Sequence, residues 1–350
     1  MRFAFVTTNL AGGGAEKALL KLAGGLRARG HDAGLWLLED KYAHEVPADL
    51  PVRAVARRCG HGWLGKRLAA RRLRHALAAA GPFDLIVSTL PFADEVAALA
   101  GLSRHRCRIA NTLGAEVDKL AVANPAKARR REMRYRELYA RRPLIAVSTG
   151  VADDLRDRFG AKDVQVVPNP FDFAGMRALA NQPFAFTRPY VVHVGRFAPQ
   201  KRHDLLLDAW SRVDTDHELV LLTEPAAALA AMIAGRGLAP RVRVAGFQAN
   251  PYPWIAHADL LVLCSDHEGL PNVLIEALAC GTPVVSTDCP SGPREILAAF
   301  PECLVPRGDA DALAKAIART LAAPPEPARA DLSAYEMQGV LASYERLAAA

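Results

Sequence analysis

Strand-like and helix-like segments alternate along this 350-residue chain in two separate series, an order that leaves few folds open. In the first series, apolar runs are expected as strands at 2–7, 33–38, 85–88, 108–111, 144–147 and 164–167, with helical segments between them such as 15–29. The second series has comparable runs at 190–194, 218–222, 242–244, 260–264, 284–286 and 303–305. Each series reads as a doubly wound parallel sheet, so the expected fold class is α/β with two Rossmann-like domains. Breakers crowd the stretch from Pro168-Asn169-Pro170 to Arg188-Pro189. An N-terminal domain is therefore expected at 1–172, a linker at 173–188 and a second domain at 189–330. The remaining 331–350 follow a proline-rich turn, and their helical pattern is expected to return to the first domain.

Apolar residues make up 51% of the chain, enough for each half to bury a core. Met1-Arg2-Phe3-Ala4-Phe5-Val6 opens straight into a strand pattern, and no run of about 18 apolar residues follows. The expected location is cytoplasmic, peripheral to the inner face of the membrane. Six cysteines (Cys59, Cys107, Cys264, Cys280, Cys289 and Cys303) are scattered without a C-x-x-C pair, which argues against a zinc site or a disulfide framework.

Charge is distributed unevenly. Residues 1–180 hold 30 Lys and Arg against 18 Asp and Glu, a balance of +12, whereas the remainder comes to −5. Arg67, Arg71 and Arg74 share one side of a helix expected at 64–79, and a second basic cluster runs from Lys127 to Arg142. A solvated helix face is one reading of such runs. An anionic membrane surface or a lipid-linked acceptor is the other, and ranks above nucleic acid because only Trp63 and Tyr135 lie near for base stacking.

Ligands of doubly wound sheets bind outside the carboxyl ends of the strands, so the residues just after the strands decide the chemistry. After the first strand comes Gly12-Gly13-Gly14-Ala15-Glu16-Lys17, a loop opening a helix, where amides can approach a phosphate or a sugar closely. A dinucleotide fingerprint needs a third glycine where Lys17 stands, which argues against a nicotinamide-dependent dehydrogenase even though Glu39 or Asp40 would serve as its ribose acid. The first strand of the second series leads into Gly195-Arg196-Phe197-Ala198-Pro199-Gln200-Lys201, whose two cations suit a diphosphate leaving group. Further on, Glu268-Gly269-Leu270-Pro271-Asn272-Val273-Leu274-Ile275-Glu276 sets two acids around a helix start. Glu276 can accept from the paired hydroxyls of a ribose, and Glu268 from a hexose. Taken alone these are ordinary surface acids; beside Arg196 and Lys201 they read as a grip for a sugar nucleotide. Asp309-Ala310-Asp311 is expected to cap a helix and not to bind a metal.

These motifs, in this order, resemble the retaining glycosyltransferases of the GT-B fold, glycosyltransferase family 4. The resemblance rests on Glu268 to Glu276 and is continued by Gly281-Thr282-Pro283-Val284-Val285-Ser286 and Ser291-Gly292-Pro293-Arg294-Glu295. Arg29-Gly30-His31, Val147-Ser148-Thr149-Gly150-Val151 and Val167-Pro168-Asn169-Pro170-Phe171-Asp172 support it. It implies transfer of a hexose-type sugar from a nucleotide-sugar donor to a glycan or lipid-linked acceptor, in cell-surface polysaccharide or lipopolysaccharide biosynthesis. The anomeric configuration is kept, and neither metal nor other cofactor takes part. On that resemblance Gly195, Arg196 and Lys201 hold the diphosphate and Glu276 the ribose, while Glu268 with Gly269, Leu270, Pro271, Asn272 and Val273 holds the sugar and its phosphate. Arg196, Lys201 and Glu268 form the catalytic set; Gly13 and Gly14 let the first domain close on the donor. Glu16 and Asn111 lie on the acceptor side, Asn111 where many relatives have a histidine. A non-catalytic sugar-nucleotide binder of the same fold remains the alternative.

Overall fold

The computed structural model describes residues 1–43 and 46–350. They form two compact units, Met1–Phe171 with Ala334–Ala350, and Asp172–Ser333. The first is built on a seven-stranded sheet of β1 (Arg2–Thr7), β2 (Asp32–Leu37), β3 (Val52–Ala54), β4 (Leu85–Thr89), β5 (His105–Ile109), β6 (Leu144–Ala146) and β7 (Val164–Val166), in the order β3-β2-β1-β4-β5-β6-β7. All its pairings are parallel. Helices cover both faces, so the strands are buried on both sides and read as continuous apolar runs. Alternate residues of β1 feed two different cores. Phe3 and Phe5 join Leu19, Leu22 and Leu26, whereas Ala4 and Val6 join Leu73, Leu77, Val96 and Ala97.

The first core is completed by the last helix of the chain, Met337–Ala349, through Val340, Leu341, Tyr344 and Leu347. Gly25 makes room for it, since a Cβ there would lie 2.9 Å from Leu341 Cδ1. Arg29-Gly30-His31 is the tie that holds this helix. Arg29 donates to Gln338 and Glu345, His31 lies 2.7 Å from Glu345, and Gly30 adopts a φ of +84° that ends the helix Gly14–Ala28. The two chain crossings are themselves paired, Phe171 N–H donating to Tyr335 O and Met337 N–H to Phe171 O, both at 2.9 Å.

The second unit holds a six-stranded parallel sheet of β8 (Tyr190–Val194), β9 (Glu218–Leu222), β10 (Val242–Val244), β11 (Leu260–Leu263), β12 (Val284–Thr287) and β13 (Leu304–Val305), in the order β10-β9-β8-β11-β12-β13. The chain first winds outward from β8 through β9 to β10, then returns to the other side of β8 with β11. The carboxyl ends of β8 and β11 thus flank the point where the winding reverses.

Two expectations differ from the structure, and one strand was not expected at all. The segment 173–188 is not a bare linker: Asp172 caps the helix Phe173–Ala180 through Gly175 N–H at 3.0 Å, and that helix packs on Tyr252–Ala256 within the second unit. Phe184 and Phe186 extend the same packing against Trp254. Next, β5 begins at His105 instead of 108, because its charged residues conceal a strand whose Arg108 is fully buried. Finally, β3 has only three residues at a sheet edge and left no pattern to find.

A buried polar cluster under β4 and β5 gives a pH prediction. Asp94, fully buried, accepts from Ser88 and from Tyr139 (2.8 Å), and Ser88 Oγ lies 2.8 Å from His105 Nε2. Burial raises Asp94 to about 7 and lowers His105 to about 4. Asp94, raised in the fold, contributes stability that is present below about pH 4 and lost as pH rises towards 7; His105, lowered, contributes stability lost as pH falls from about 6.5 to 4. The two oppose each other across one window. Asp94→Asn, whose amide can still donate to Ser88 and accept from Tyr139, leaves His105 unopposed. Its melting temperature is expected to climb from pH 4 to 6.5 more steeply than the parent's; parallel curves would show that Asp94 ionises normally.

Candidate active site

The site is assembled by two loops of the second unit. The first leaves β8 at Gly195-Arg196, makes a single 3₁₀ turn at Pro199–Lys201 and enters the helix His203–Trp210. The second leaves β11, runs through Ser265-Asp266-His267-Glu268 and enters the helix Asn272–Ala279. They are stitched together at backbone level, with Asp266 N–H donating to Gln200 O (2.9 Å) and Cys264 Sγ to Lys201 O (3.0 Å). Side chains add to the seam: Gln200 Nε2 donates to His267 O, and Arg202 Nη1 to Asp266 Oδ1 at 2.8 Å. Arg202 takes a left-handed φ of +50°, a strained conformation that its bonds to Asp204 and Asp266 hold in place.

Lys201 and Glu268 meet across this seam. Lys201 Nζ donates to Glu268 Oε1 at 2.7 Å, and the Glu268 residue is only 8% exposed. Such a pair is stable only while both partners are present, because either charge alone would be stranded in a poorly solvated place. Arg196, by contrast, is exposed and forms no ion pair among the described residues, so its guanidinium can turn to an incoming anion. The helix Asn272–Ala279 starts at Pro271 with no side-chain cap, and helix geometry leaves first-turn amides without intrahelical acceptors. Leu270 and Val273 are buried, so what they can offer a ligand is backbone, and Pro271 has no amide to offer. Pro271 instead packs on the Ser291-Gly292 turn, where Gly292 has φ +99° and a Cβ would lie 2.2 Å from Pro271 Cδ.

Glu276 lies a turn further along that helix and is half-buried. Tyr252 and Cys280 are both pushed up by burial first and by the Glu276 charge second, Cys280 to about 11. Of the residues expected to act together, the structure joins Gly195, Lys201, Glu268 and the start of the helix. Glu276 stands beside Tyr252.

Two histidines escaped the sequence reading because they sit in apolar company. His193, within β8, donates from Nδ1 to Val262 O at 2.9 Å, while burial lowers it to about 3 and keeps it neutral. Its ring lies 4.8 Å from that of His203, which burial lowers to about 4. His193 Nε2 would be 3.3 Å from a Cβ on residue 195, which explains the glycine there.

In the first unit, the loop after β1 is pinned by Asn9, which accepts from Ala11 N–H (3.0 Å) and donates to Glu39 (3.2 Å). Gly13 caps the helix Gly14–Ala28, and Glu16 in its first turn is buried against Gly12. Glu39 is thus engaged by Asn9 and by Cys59 N–H, which removes it as the ribose acid of a dehydrogenase. Asn111 donates to Glu116 Oε1 and accepts from Thr112 N–H, each at 3.0 Å. Asp309 caps the helix Ala310–Ala322 through Ala312 N–H (2.8 Å), as its spacing implies. Among the described residues no group of three or more His, Cys, Asp or Glu is placed to hold a metal ion.

Two parallel-sheet units of this kind define the GT-B class of glycosyltransferase folds. HepE of Anabaena, solved with UDP-glucose, superposes with a TM-score of 0.77 over 100% of both chains at 20% identity. The lipopolysaccharide outer core galactosyltransferase WaaB, solved without ligand, gives 0.69 over 99% of both at 18% identity. Residues 12–174 match the family described as Glycosyltransferase Family 4, and residues 188–323 that described as Glycosyl transferases group 1. The chain belongs to this glycosyltransferase family. It is 36% identical over 164 residues to an N-acetylgalactosaminyltransferase of Campylobacter jejuni that acts on a diphospho-undecaprenol-linked saccharide, covering 45% of each chain. The lipopolysaccharide 1,6-galactosyltransferase of Salmonella typhimurium is 30% identical over 163 residues, 44% of this chain and 45% of its own. The chain thus matches over about half the length of these curated relatives.

Proposed function

We propose that the protein transfers a hexose-type sugar from a nucleotide-sugar donor to a glycan or lipid-linked acceptor in the building of cell-surface polysaccharide or lipopolysaccharide. The observation that carries this reading is the Lys201–Glu268 pair set between Gly195 and a helix N-terminus, at the reversal point of the second sheet. The donor diphosphate would be met by Arg196, Lys201 and the helix amides, which gain in strength as charge develops on the leaving phosphate. That arrangement supplies positive charge from the chain's own groups, so the reaction is read as metal-independent. Glu268, already hydrogen-bonded to Lys201, would orient a sugar hydroxyl, and Glu276 would take the ribose. Retention of configuration fits a site that positions and stabilises, with the departing phosphate oxygen receiving the acceptor's proton. Related proteins support the class of donor and acceptor: UDP-glucose in HepE, and undecaprenol-linked or lipopolysaccharide acceptors in the bacterial relatives.

No helix among the described residues is long and apolar enough to cross a membrane. We assign contact with the cytoplasmic membrane face to the basic helix Trp63–Ala80 of the first unit.

A thermal-shift panel of UDP-, GDP-, ADP- and TDP-sugars tests the donor reading. A specific donor at about 100 times its Kd stabilises the fold by ~2.7 kcal/mol, and Glu276→Ala should abolish that response. If no sugar nucleotide shifts the melting temperature, the proposed activity fails.

A further inference from the structure

Beneath the loop that leaves β8, two buried histidines keep nitrogen atoms that nothing among the described residues satisfies. His193 is fully buried in β8, two residues before Gly195, and its Nδ1 lies 2.9 Å from Val262 O. A carbonyl oxygen only accepts, so Nδ1 carries the proton and Nε2 of the neutral ring is a bare lone pair. That Nε2 has no hydrogen-bond partner among the described residues. Buried polar groups are almost always partnered, so this one calls for a reason. His203, only 2% exposed, stands with its ring at 81° to that of His193, and neither of its nitrogens has a partner either. Phe197 packs edge-on against His203, the ring centroids 5.3 Å apart. Burial first, and neighbouring charge that includes Lys201 after it, lower His193 to about 3 and His203 to about 4, so both rings are neutral near neutral pH.

The bare face of Gly195 shows what the lone pair meets. A Cβ there would lie 3.3 Å from His193 Nε2 and 3.5 and 3.6 Å from Lys201 Cδ and Cε, so the imidazole and the lysine stem come together over the glycine. Resting on the proposed transferase reading, we infer that His193 is a positioning residue for Lys201, its fixed lone pair steadying the lysine cation from beneath while the donor diphosphate is held. The need arises at Glu268. Lys201 Nζ donates to Glu268 Oε1, and a donor sugar that engages this carboxylate leaves the ammonium with less negative charge beside it. His193 is not drawn away in the same manner, because its bond to Val262 ties it into the sheet. A dipole facing a cation in a poorly solvated place acts far more strongly than in water. An apolar ring would fill the same space without the lone pair, and a protonated one would repel Lys201.

Steady-state kinetics on the full chain test this in His193→Asn and His193→Gln, with turnover read as nucleoside diphosphate released from UDP-glucose, GDP-mannose, ADP-glucose or TDP-glucose in the presence of extracted lipid-linked saccharide. The Asn amide nitrogen stands where Nδ1 does and keeps the Val262 bond without the lone pair; the Gln amide oxygen stands where Nε2 does. His193→Asn is expected to lower kcat about tenfold with KM changed less than about twofold, whereas His193→Gln keeps most of the parent's kcat despite a lower melting temperature. A merely structural histidine gives the reverse order, with Asn the better replacement, and that order would overturn the inference. In a Lys201→Met background His193→Asn should change turnover less than about twofold; a further loss of about tenfold there would show that His193 does not act through Lys201. Long-range proton–nitrogen correlation spectra of the histidine-labelled parent read the tautomer without any variant, and a proton on His193 Nε2 would overturn the inference on its own. A parent chain that binds none of the four sugar nucleotides by calorimetry overturns the transferase reading instead, a result independent of the tautomer and distinct from equal turnover by parent and His193→Asn.

Discussion

Lys201→Met is expected to lower kcat/KM for sugar transfer by about two to three orders of magnitude, the usual loss when a preorganised group is removed from developing negative charge. It should also destabilise the protein, because Glu268 is left buried without its 2.7 Å partner. Stranding one member of a buried pair costs ~3–5 kcal/mol. Arg196→Ala separates the two effects. Arg196 is exposed and unpaired among the described residues, so its loss should depress turnover comparably with almost no change in melting temperature. Adding Glu268→Gln to Lys201→Met removes the stranded charge; stability should largely return while transfer stays low. Steady-state kinetics and thermal unfolding on these variants form a cycle that distinguishes a clamp from a structural ion pair. Near-parental turnover in both single variants would refute the clamp.

The seam that places Lys201 was only partly legible in the sequence. Gly195, Arg196, Lys201 and Glu268 could be named because they follow apolar runs, and strand ends are where α/β sheets carry chemistry. Pairing between Lys201 and Glu268 could not be named, since it depends on β11 lying next to β8, and strand order leaves no periodic trace. The bonds from Gln200, Arg202 and Cys264 that set the register belong to the same class of long-range fact. Elsewhere the failures share another cause, polar residues doing apolar work. The strand expected from Arg108 starts three residues earlier at His105, because His105 and Arg106 break the apolar run, and Arg108 itself is wholly buried and donates to Asn169 in the segment leaving the first unit. His193 drew no reading of its own within the strand expected at 190–194, although its bond to Val262 ties β8 to β11 under Gly195. In 173–188 the prolines outweighed the Asp172 cap, which was as clear a helix signal as any in the chain.

The helix Trp63–Ala80 gives the second large effect, on membrane binding. Its outward side carries Trp63, Leu64 and Leu68, which are 66%, 73% and 49% exposed, among the exposed Arg67 and Arg71. An amphipathic surface of this composition suits an anionic interface, where arginines meet lipid phosphates while the apolar side chains enter the headgroup boundary. Arg67 also stacks its guanidinium over Trp63 at 4.4 Å, holding charge and ring together. Arg74 is a less free member of the set, because its Nε donates to Ala100 O at the end of the helix Pro91–Ala100. The informative variant is therefore Arg67→Glu with Arg71→Glu, which leaves that bond intact. Each basic residue near an anionic surface is worth ~1 kcal/mol, so losing two and adding two acids should weaken binding to phosphatidylglycerol vesicles by about tenfold to a thousandfold at low salt. Raised salt should shrink the difference, because these charges are exposed and screened. Replacing Trp63, Leu64 and Leu68 with serine should instead weaken binding at both low and high salt, since burial of apolar surface is not screened. Vesicle co-sedimentation with thermal melts reads both outcomes, and unchanged binding in the two sets of variants would return the helix to an ordinary solvated face.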